Sequence, residues 1–214
     1  MLNIQRFECN MFQENCYVVN DETNECVIID CGAFYDEEKE AVTRYIKDKK
    51  LKPIHLLCTH AHIDHNFGNG IIFNVFGLKP EVSIEDKILM ERLREQAMTF
   101  IGLNYKEDIP AVGKFFSDNE RITFGTHTFS IIATPGHTPG SVFFYCQEEK
   151  VAFSGDTLFK MSIGRTDFEL GNFNSIMDSL HKIAETLPSD TVILPGHGPE
   201  TTIKNERMFN PYMK

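Results

Sequence analysis

Four apolar segments of the sequence each end in histidines or an aspartate, and this pattern constrains the fold more than any other feature. The polar ends fall at 59–65, 134–137, 154–156 and 194–197. Each apolar segment has the length and the composition of a buried strand. If these strands lie side by side, their ends gather the polar side chains in loops along one sheet edge, where catalytic groups usually lie. The side chains gathered in this way are His60, His62, Asp64, His65, His137, Asp156 and His197.

These seven side chains are five imidazoles and two carboxylates, without a thiolate. Nitrogen and oxygen ligands suit zinc, iron or manganese. One tetrahedral ion needs about four protein ligands, so the set predicts two divalent cations with one carboxylate between them. Zinc is the expected metal, and iron and manganese are the alternatives. Lone histidines are usually core or surface residues, which is our interpretation of His55, His127 and His181.

The rest of the sequence predicts strands in two runs with helices between them. Strands are expected at 4–9, 16–19, 26–30, 53–59, 121–124, 127–133, 141–146, 151–154 and 191–194. Helices are expected at 35–50, from Ser83 to about Phe100, and at 174–187 and 200–208. The segment 71–76 fits a helix or a strand, and 103–118 is expected to be irregular. This order predicts an α+β fold, a four-layer αββα sandwich, in a single domain over 1–214.

Charge and composition exclude several classes of partner. Lys and Arg number 21 against 31 Asp and Glu, a net charge of −10, and no basic cluster is present. Binding to nucleic acid or to an anionic membrane is therefore not expected. The N-terminal residues lack a signal segment, so we expect a cytoplasmic protein, with its oligomeric state open. The six cysteines are interpreted as reduced buried thiols, and Cys58 lies nearest to the histidines in sequence.

Four motifs closely resemble those of the metallo-β-lactamase superfamily. They read THAHIDH at 59–65, TPGHTPGS at 134–141, SGDTLF at 154–159 and PGHGP at 195–199. The resemblance implies an αββα sandwich with a binuclear site at the edge of its two sheets. By the family pattern, His60, His62 and His137 hold one metal, Asp64, His65 and His197 hold the other, and Asp156 bridges them. Asp64 and Asp156 then also have catalytic roles, Asp64 as the ligand that positions a hydroxide.

Within that superfamily, the sequence is most similar to the glyoxalase II group, the hydroxyacylglutathione hydrolases. β-Lactamases proper carry Cys or Ser at the place of Asp156, which disfavours antibiotic hydrolysis. The segment SIGRTDF at 162–168 resembles the compact bacterial forms. The C-terminal helical domain that contacts glutathione in typical members is expected to be absent. Asp30, in Asp-Cys-Gly where the family usually has Asp-Pro-Gly, is expected behind the metal ligands.

The resemblance implies hydrolysis of an anionic thioester such as S-D-lactoylglutathione, by attack of a metal-bound hydroxide on the carbonyl. Arg165 is the candidate clamp for the carboxylate of the thiol carrier, because Arg binds a carboxylate through two hydrogen bonds. Lys160 and Lys204 are weaker candidates for the same role. Three alternatives stay open: a persulfide dioxygenase with one iron, an acyl-homoserine lactone lactonase, and a non-catalytic metal-binding protein.

Overall fold

The structure is a computed structural model that describes residues 1–214. Two six-stranded sheets form its centre. The first sheet contains six strands in sequence order: β1 (Asn3–Cys9), β2 (Glu14–Asn20), β3 (Glu25–Ile29), β4 (Lys52–Leu57), β5 (Pro80–Ser83) and β6 (Lys114–Phe116). Strands β1 to β3 are antiparallel, whereas β3 to β6 run parallel to one another. The carboxyl ends of β3, β4 and β5 therefore lie at the same edge.

The strands of the second sheet are β7 (Arg121–Phe124), β8 (His127–Ala133), β9 (Val142–Cys146), β10 (Val151–Gly155), β13 (Val192–Pro195) and β14 (Thr201–Thr202). Their order across the sheet is β14-β13-β10-β9-β8-β7. A small hairpin of β11 (Leu158–Phe159) and β12 (Ser162–Ile163) follows β10. Only β10 and β13 pair in parallel, and their carboxyl ends lie together.

The main core lies between the two sheets. Alternate residues of each strand point to opposite faces, which sorts the side chains into two sets. Val27 and Ile29 of β3 pack inward against phenylalanines of the second sheet, such as Phe129 and Phe153. The intervening Ile28 packs instead against the helices outside the first sheet. The apolar runs of the sequence are therefore strands buried on both faces.

Two helices cover the outer face of the first sheet: α1 (Asp36–Asp48) and α2 (Asn69–Phe76). Helix α1 begins with three acidic residues, and the Glu38 carboxylate accepts a hydrogen bond of 3.1 Å from the backbone N–H of Tyr35. Both features stabilise the start of a helix. The ambiguous segment 71–76 is thus helical, and Gly77 in the left-handed conformation ends it.

The middle of the chain differs from the sequence prediction. The single helix expected from Ser83 to Phe100 is instead a 3₁₀ turn, then α3 (Lys87–Glu91) and α4 (Leu93–Ile101). Arg92 breaks the helix with φ −107° and ψ 16°, and both helices thereby bury apolar side chains in one cluster. Strand β6 lies inside the segment 103–118 that was expected to be irregular, and β5 was not predicted.

Helices α5 (Phe173–Thr186) and α6 (Ile203–Phe209) cover the outer face of the second sheet. Leu180 and Ile183 of α5 pack against Phe143 and Ile193 of that sheet. The predicted four-layer αββα sandwich of the α+β class is therefore confirmed. No helix combines the length and the apolar character needed to cross a bilayer.

Candidate metal centre

The seven side chains predicted from the strand ends lie together at one edge of the sandwich. Four of them belong to the loop 58–65 after β4, in the first sheet. The others follow β8, β10 and β13 of the second sheet, so the group spans the top of the inter-sheet core. We call this group the strand-end cluster; its members are His60, His62, Asp64, His65, His137, Asp156 and His197.

Three histidines of the cluster form a first set. His60, His62 and His137 each offer a ring nitrogen, and these nitrogens all lie within 4.8 Å of one another. His62 Nδ1 lies 2.9 Å from His137 Nε2. All three side chains are buried.

A second set lies beside the first. Asp64, His65 and His197 offer ligand atoms that also lie within 4.8 Å of one another. His65 Nε2 is 3.2 Å from His197 Nε2, and His197 Nε2 is 3.3 Å from Asp64 Oδ2. The set therefore contributes two ring nitrogens and one carboxylate oxygen.

Asp156 lies between the two sets. Its Oδ2 is 3.6 Å from His137 Nε2 in the first set and 3.5 Å from His197 Nε2 in the second. Its Oδ1 is 3.4 Å from His65 Nε2. No other carboxylate in the cluster has such close contacts with members of both sets.

Hydrogen bonds behind the histidines orient their rings. His137 Nδ1 donates to the backbone carbonyl of Arg165 (2.7 Å), and His197 Nδ1 donates to that of Phe12 (2.9 Å). In both rings Nε2 is then left to face the cluster. This is the arrangement that metal-binding histidines usually have.

The cluster fits divalent cations better than it fits a hydrogen-bond network. Two pairs of ring nitrogens face each other, His62 with His137 and His65 with His197, and each pair can share only one proton. His60 Nε2 and Asp156 Oδ1 are buried and have no hydrogen-bond partner. Buried polar atoms are rarely left without a partner, and the nitrogen and oxygen donors suit zinc, iron or manganese.

Burial and the neighbouring charges shift the ionisation of the cluster. Burial, together with the nearby His137, lowers the pKa of His62 to about 3, and burial lowers that of His60 as well. Burial alone would raise the pKa of Asp156, but the charge on His65 holds it well below its usual range. His60 and His62 thus offer neutral imidazoles, and Asp156 offers a carboxylate.

A cavity of about 900 Å³ opens over the cluster. The predicted clamp, Arg165, lies in its wall, half-exposed, and its Nε and Nη2 each donate to the Asp167 carboxylate at 2.7 Å. The guanidinium also stacks on Phe168, 3.8 Å from the ring centroid. Lys160 and Lys204 are exposed and do not line the cavity.

Asp30 and Glu14 lie behind the second set. Asp30 accepts hydrogen bonds from the backbone N–H and the hydroxyl of Thr59, and its Oδ2 lies 3.2 Å from His65 Nδ1. Glu14 is fully buried, its Oε1 lies 3.9 Å from His65 Nδ1, and both its carboxylate oxygens lack a hydrogen bond. Glu14 was not predicted from the sequence, because nothing at the start of β2 distinguishes it.

The remaining histidines and Cys58 lie outside the cluster. His55 pairs with Glu81, His127 lies in a separate group at the other end of the sandwich, and His181 is exposed on α5. The buried Cys58 thiol donates to Asn66 Oδ1 at 3.2 Å, and burial raises its pKa well above the usual range. It has the features of a structural thiol.

With this fold and this cluster, the chain matches the sequence model of the metallo-beta-lactamase superfamily over residues 9–197. The chain therefore belongs to that superfamily of metallo-hydrolases. It is 36% identical to the hydroxyacylglutathione hydrolase GloC of Haemophilus influenzae, over 99% of this chain and 98% of the relative.

Two solved structures are similar over nearly their full lengths. BLEG-1, named a B3 metallo-beta-lactamase, superimposes with a TM-score of 0.90 at 34% identity, covering 99% of this chain and 100% of BLEG-1. TTHA1623, solved in a di-iron-bound form, has a TM-score of 0.86 at 31% identity, covering 97% of this chain and 99% of TTHA1623.

Proposed function

We propose that the protein is a binuclear metal-dependent hydrolase that cleaves anionic thioesters to an acid and a free thiol. S-D-lactoylglutathione is the representative substrate. The observation that carries the proposal is that two ligand sets open into one cavity with Arg165 in its wall. The thioester is favoured by the likeness to the Haemophilus influenzae hydroxyacylglutathione hydrolase, which extends along both chains.

In this proposal each set would hold one divalent cation, and Asp156, which lies between the sets, would be available to both. Two such cations would supply Lewis acidity for a carbonyl and would lower the pKa of a water toward about 7. Zinc is the metal we expect. Iron suits the same donors, and the di-iron form of TTHA1623 makes it a metal to test.

The protein groups supply orientation and charge. Asp64 and Asp156 line the cavity floor, where their carboxylates can accept a hydrogen bond from the attacking water and direct it. Arg165 donates to Asp167 through Nε and Nη2, so its Nη1 N–H groups are free for a substrate carboxylate. The departing thiol has an ordinary pKa of about 8.5, so it leaves as a thiolate with little need of a proton donor.

Thiol release tests the reaction type. Metal-free protein is reloaded with zinc, iron or manganese and assayed with S-D-lactoylglutathione and with an acyl-homoserine lactone. We expect metal-dependent thiol release that His60→Ala abolishes. Oxygen consumption with a glutathione persulfide in the iron-loaded protein, without thioester hydrolysis, would favour the dioxygenase instead.

Hydrolysis of β-lactams is a second candidate, because BLEG-1 carries that name at 34% identity and a TM-score of 0.90. Asp156 stands where β-lactamases proper carry Cys or Ser, which disfavours it. A chromogenic cephalosporin in the same panel decides between the two. Faster turnover of the cephalosporin than of every thioester would reverse the order of the candidates.

Arg165→Ala distinguishes a role of Arg165 in binding the thiol carrier of the substrate from a role in the hydrolysis step. Because the Arg165 side chain is 57% exposed and already pairs with Asp167, we expect kcat/KM to fall by about 2- to 12-fold, or about 0.5–1.5 kcal/mol, mainly through a higher KM. A neutral thioester without the carboxylate should show little change. Lys160→Ala is the matched control and should leave KM unchanged. Equal losses on charged and neutral thioesters would remove Arg165 from the substrate site.

A further inference from the structure

The segment from Ser83 to Ile101 carries none of the predicted metal ligands, yet two of its buried polar side chains reach the ligand loop. Asp86 is fully buried, and Gln96 is almost so. Gln96 accepts a hydrogen bond from the backbone N–H of Ile63 (3.0 Å) and donates to the carbonyl of Ala61 (2.9 Å). The backbone of the first motif is therefore held by side chains from a segment without a motif of its own.

The Asp86 carboxylate accepts three hydrogen bonds. Its Oδ2 accepts from the backbone N–H of Ala61 and from the hydroxyl of Thr138, both at 2.8 Å. Its Oδ1 accepts from the backbone N–H of Gly140 at 2.6 Å. Gly140 approaches so closely that a Cβ there would lie 2.5 Å from the Asp86 carboxyl carbon. One carboxylate thus joins a loop of the first sheet to a loop of the second.

These partners lie beside one ligand set only. Ala61 stands between His60 and His62, and Thr138 directly follows His137. The second set has a different support, since His65 faces Asp30 and His197 donates to a backbone carbonyl. Asp86 therefore fixes the spacing of the two loops that supply the first set.

We infer that Asp86 is a positioning residue for the first of the two metal sites, holding the His60–His62 loop and the His137 loop at the separation at which one cation binds all three histidines. The inference rests on the metal-ligand part of the proposed function and is independent of the substrate. It predicts an effect on cation affinity at one site and not at the other.

The test is a calorimetric titration of metal-free protein with Zn²⁺, comparing wild type with Asp86→Asn. The asparagine side chain is nearly isosteric with that of aspartate. Its amide N–H groups, however, would face the N–H and O–H groups that donate to the carboxylate in the wild type, and they cannot accept those hydrogen bonds. In a His197→Ala background, which leaves the first set intact, Asp86→Asn should weaken the remaining site by about 10- to 100-fold. In a His60→Ala background, which leaves the second set, it should change the affinity less than about 3-fold, within the scatter of such effects.

Glu206→Gln is the matched control. Glu206 is also a fully buried carboxylate, and it accepts hydrogen bonds from Asn210 (2.9 Å) and from the backbone N–H of Met161 (2.8 Å), away from both sets. Glu206→Gln should lower the unfolding temperature without changing the Zn²⁺ affinity of either metal site. If Asp86→Asn does not fold, Thr138→Val removes one of the three hydrogen bonds and should give a smaller loss of the same kind.

Equal weakening in both backgrounds, or no weakening in either, would overturn the role of Asp86. These outcomes are distinct from failure of the proposed function. Wild-type protein that binds no Zn²⁺ would refute the ligand assignment, and protein that binds two ions without hydrolysing thioesters would refute only the substrate.

Discussion

Two groups of histidines and carboxylates lie at opposite ends of the sandwich, and they differ in how completely their buried polar atoms are hydrogen-bonded. One is the strand-end cluster. The other, which we call the hairpin cluster, consists of Asp21 directly after β2, His127 at the start of β8 and Glu149 between β9 and β10. Its His127 contacts Asp21 Oδ2 at 3.0 Å through Nδ1 and Glu149 Oε1 at 3.1 Å through Nε2.

The distances between possible ligand atoms do not distinguish the two clusters. Asp21, Glu22 and His127 also offer ligand atoms within 4.8 Å of one another. In the hairpin cluster, however, each imidazole nitrogen meets a carboxylate, and Asp21 also accepts from the backbone N–H of Thr126 (2.6 Å). In the strand-end cluster nitrogens face nitrogens, and buried atoms lack partners at a cost of about 1–3 kcal/mol each. Incomplete hydrogen bonding is therefore what distinguishes a candidate metal site from a structural cluster.

The largest effect should come from Asp156→Ala, which removes the carboxylate that contacts both sets. We expect the occupancy of both metals to fall, and kcat/KM to fall by about 10³-fold or more, corresponding to about 4 kcal/mol. Elemental analysis and thioester kinetics measure the two quantities. Full metal content together with full activity would show that Asp156 does not bridge.

Metal removal is the next test of the difference between the strand-end cluster and the hairpin cluster. A ligand that binds only the folded state at about 1,000 times its Kd stabilises that state by about 4 kcal/mol. For a chain of this length, this should lower the unfolding temperature on chelation by roughly 8–16 °C. Wild type and a hairpin-cluster variant should show the same shift, whereas Asp156→Ala should show little. An equal shift in Asp156→Ala would place the stabilising cation elsewhere.

His127→Gln tests the hairpin cluster and should affect stability alone. Burial opposes the charged form, but the hydrogen bonds to Asp21 and Glu149 raise the pKa of His127, and hydrogen bonds from Thr126 and Thr23 lower the pKa of Asp21. The His127 contribution is complete below its unfolded pKa of about 6.5 and disappears as pH rises through the raised value. The Asp21 contribution is complete above about pH 4 and disappears as pH falls through the lowered value.

The difference in unfolding temperature between wild type and His127→Gln should therefore be greatest between about pH 4 and 6.5 and narrow at higher pH. A loss of about 1–2 kcal/mol would give roughly 2–8 °C at its maximum. Thermal denaturation of chelator-treated protein across this range measures it. A difference that grows at alkaline pH would contradict the charged pairing, and reduced metal content would contradict the separation of the two clusters.

The same contrast explains how far the sequence could predict the site. The polar residues of the strand-end motifs could be predicted, because they directly follow apolar runs. The structure brings all seven of these side chains together. Asp86 and Glu14 carry no such mark, since an isolated acid near the start of a helix or strand looks like a cap or a surface residue. Their significance comes from contacts with residues 25 or more positions away.

The same reasoning applies to how far the fold could be predicted from the sequence. Strands with continuous apolar runs, such as β3 and β4, were predictable because burial on both faces requires that composition. The break at Arg92 was not, because the segment has good helix formers throughout and only tertiary packing stops the helix there. Strand β5 was missed because its four residues, Pro80–Ser83, are too few for a periodic pattern.

The smallest effect should come from His181→Ala, which provides the reference for both clusters. His181 is exposed on α5 and belongs to neither the strand-end nor the hairpin cluster. Its imidazole neither leaves a buried atom unpaired nor completes a buried pair, so its removal should change the free energy of unfolding by less than about 0.5 kcal/mol. Metal content, kcat/KM and the pH dependence of the unfolding temperature should match wild type. If His181→Ala lost a metal ion, incomplete hydrogen bonding of buried atoms would not be the property that marks the ligands, since an exposed imidazole would then be one of them.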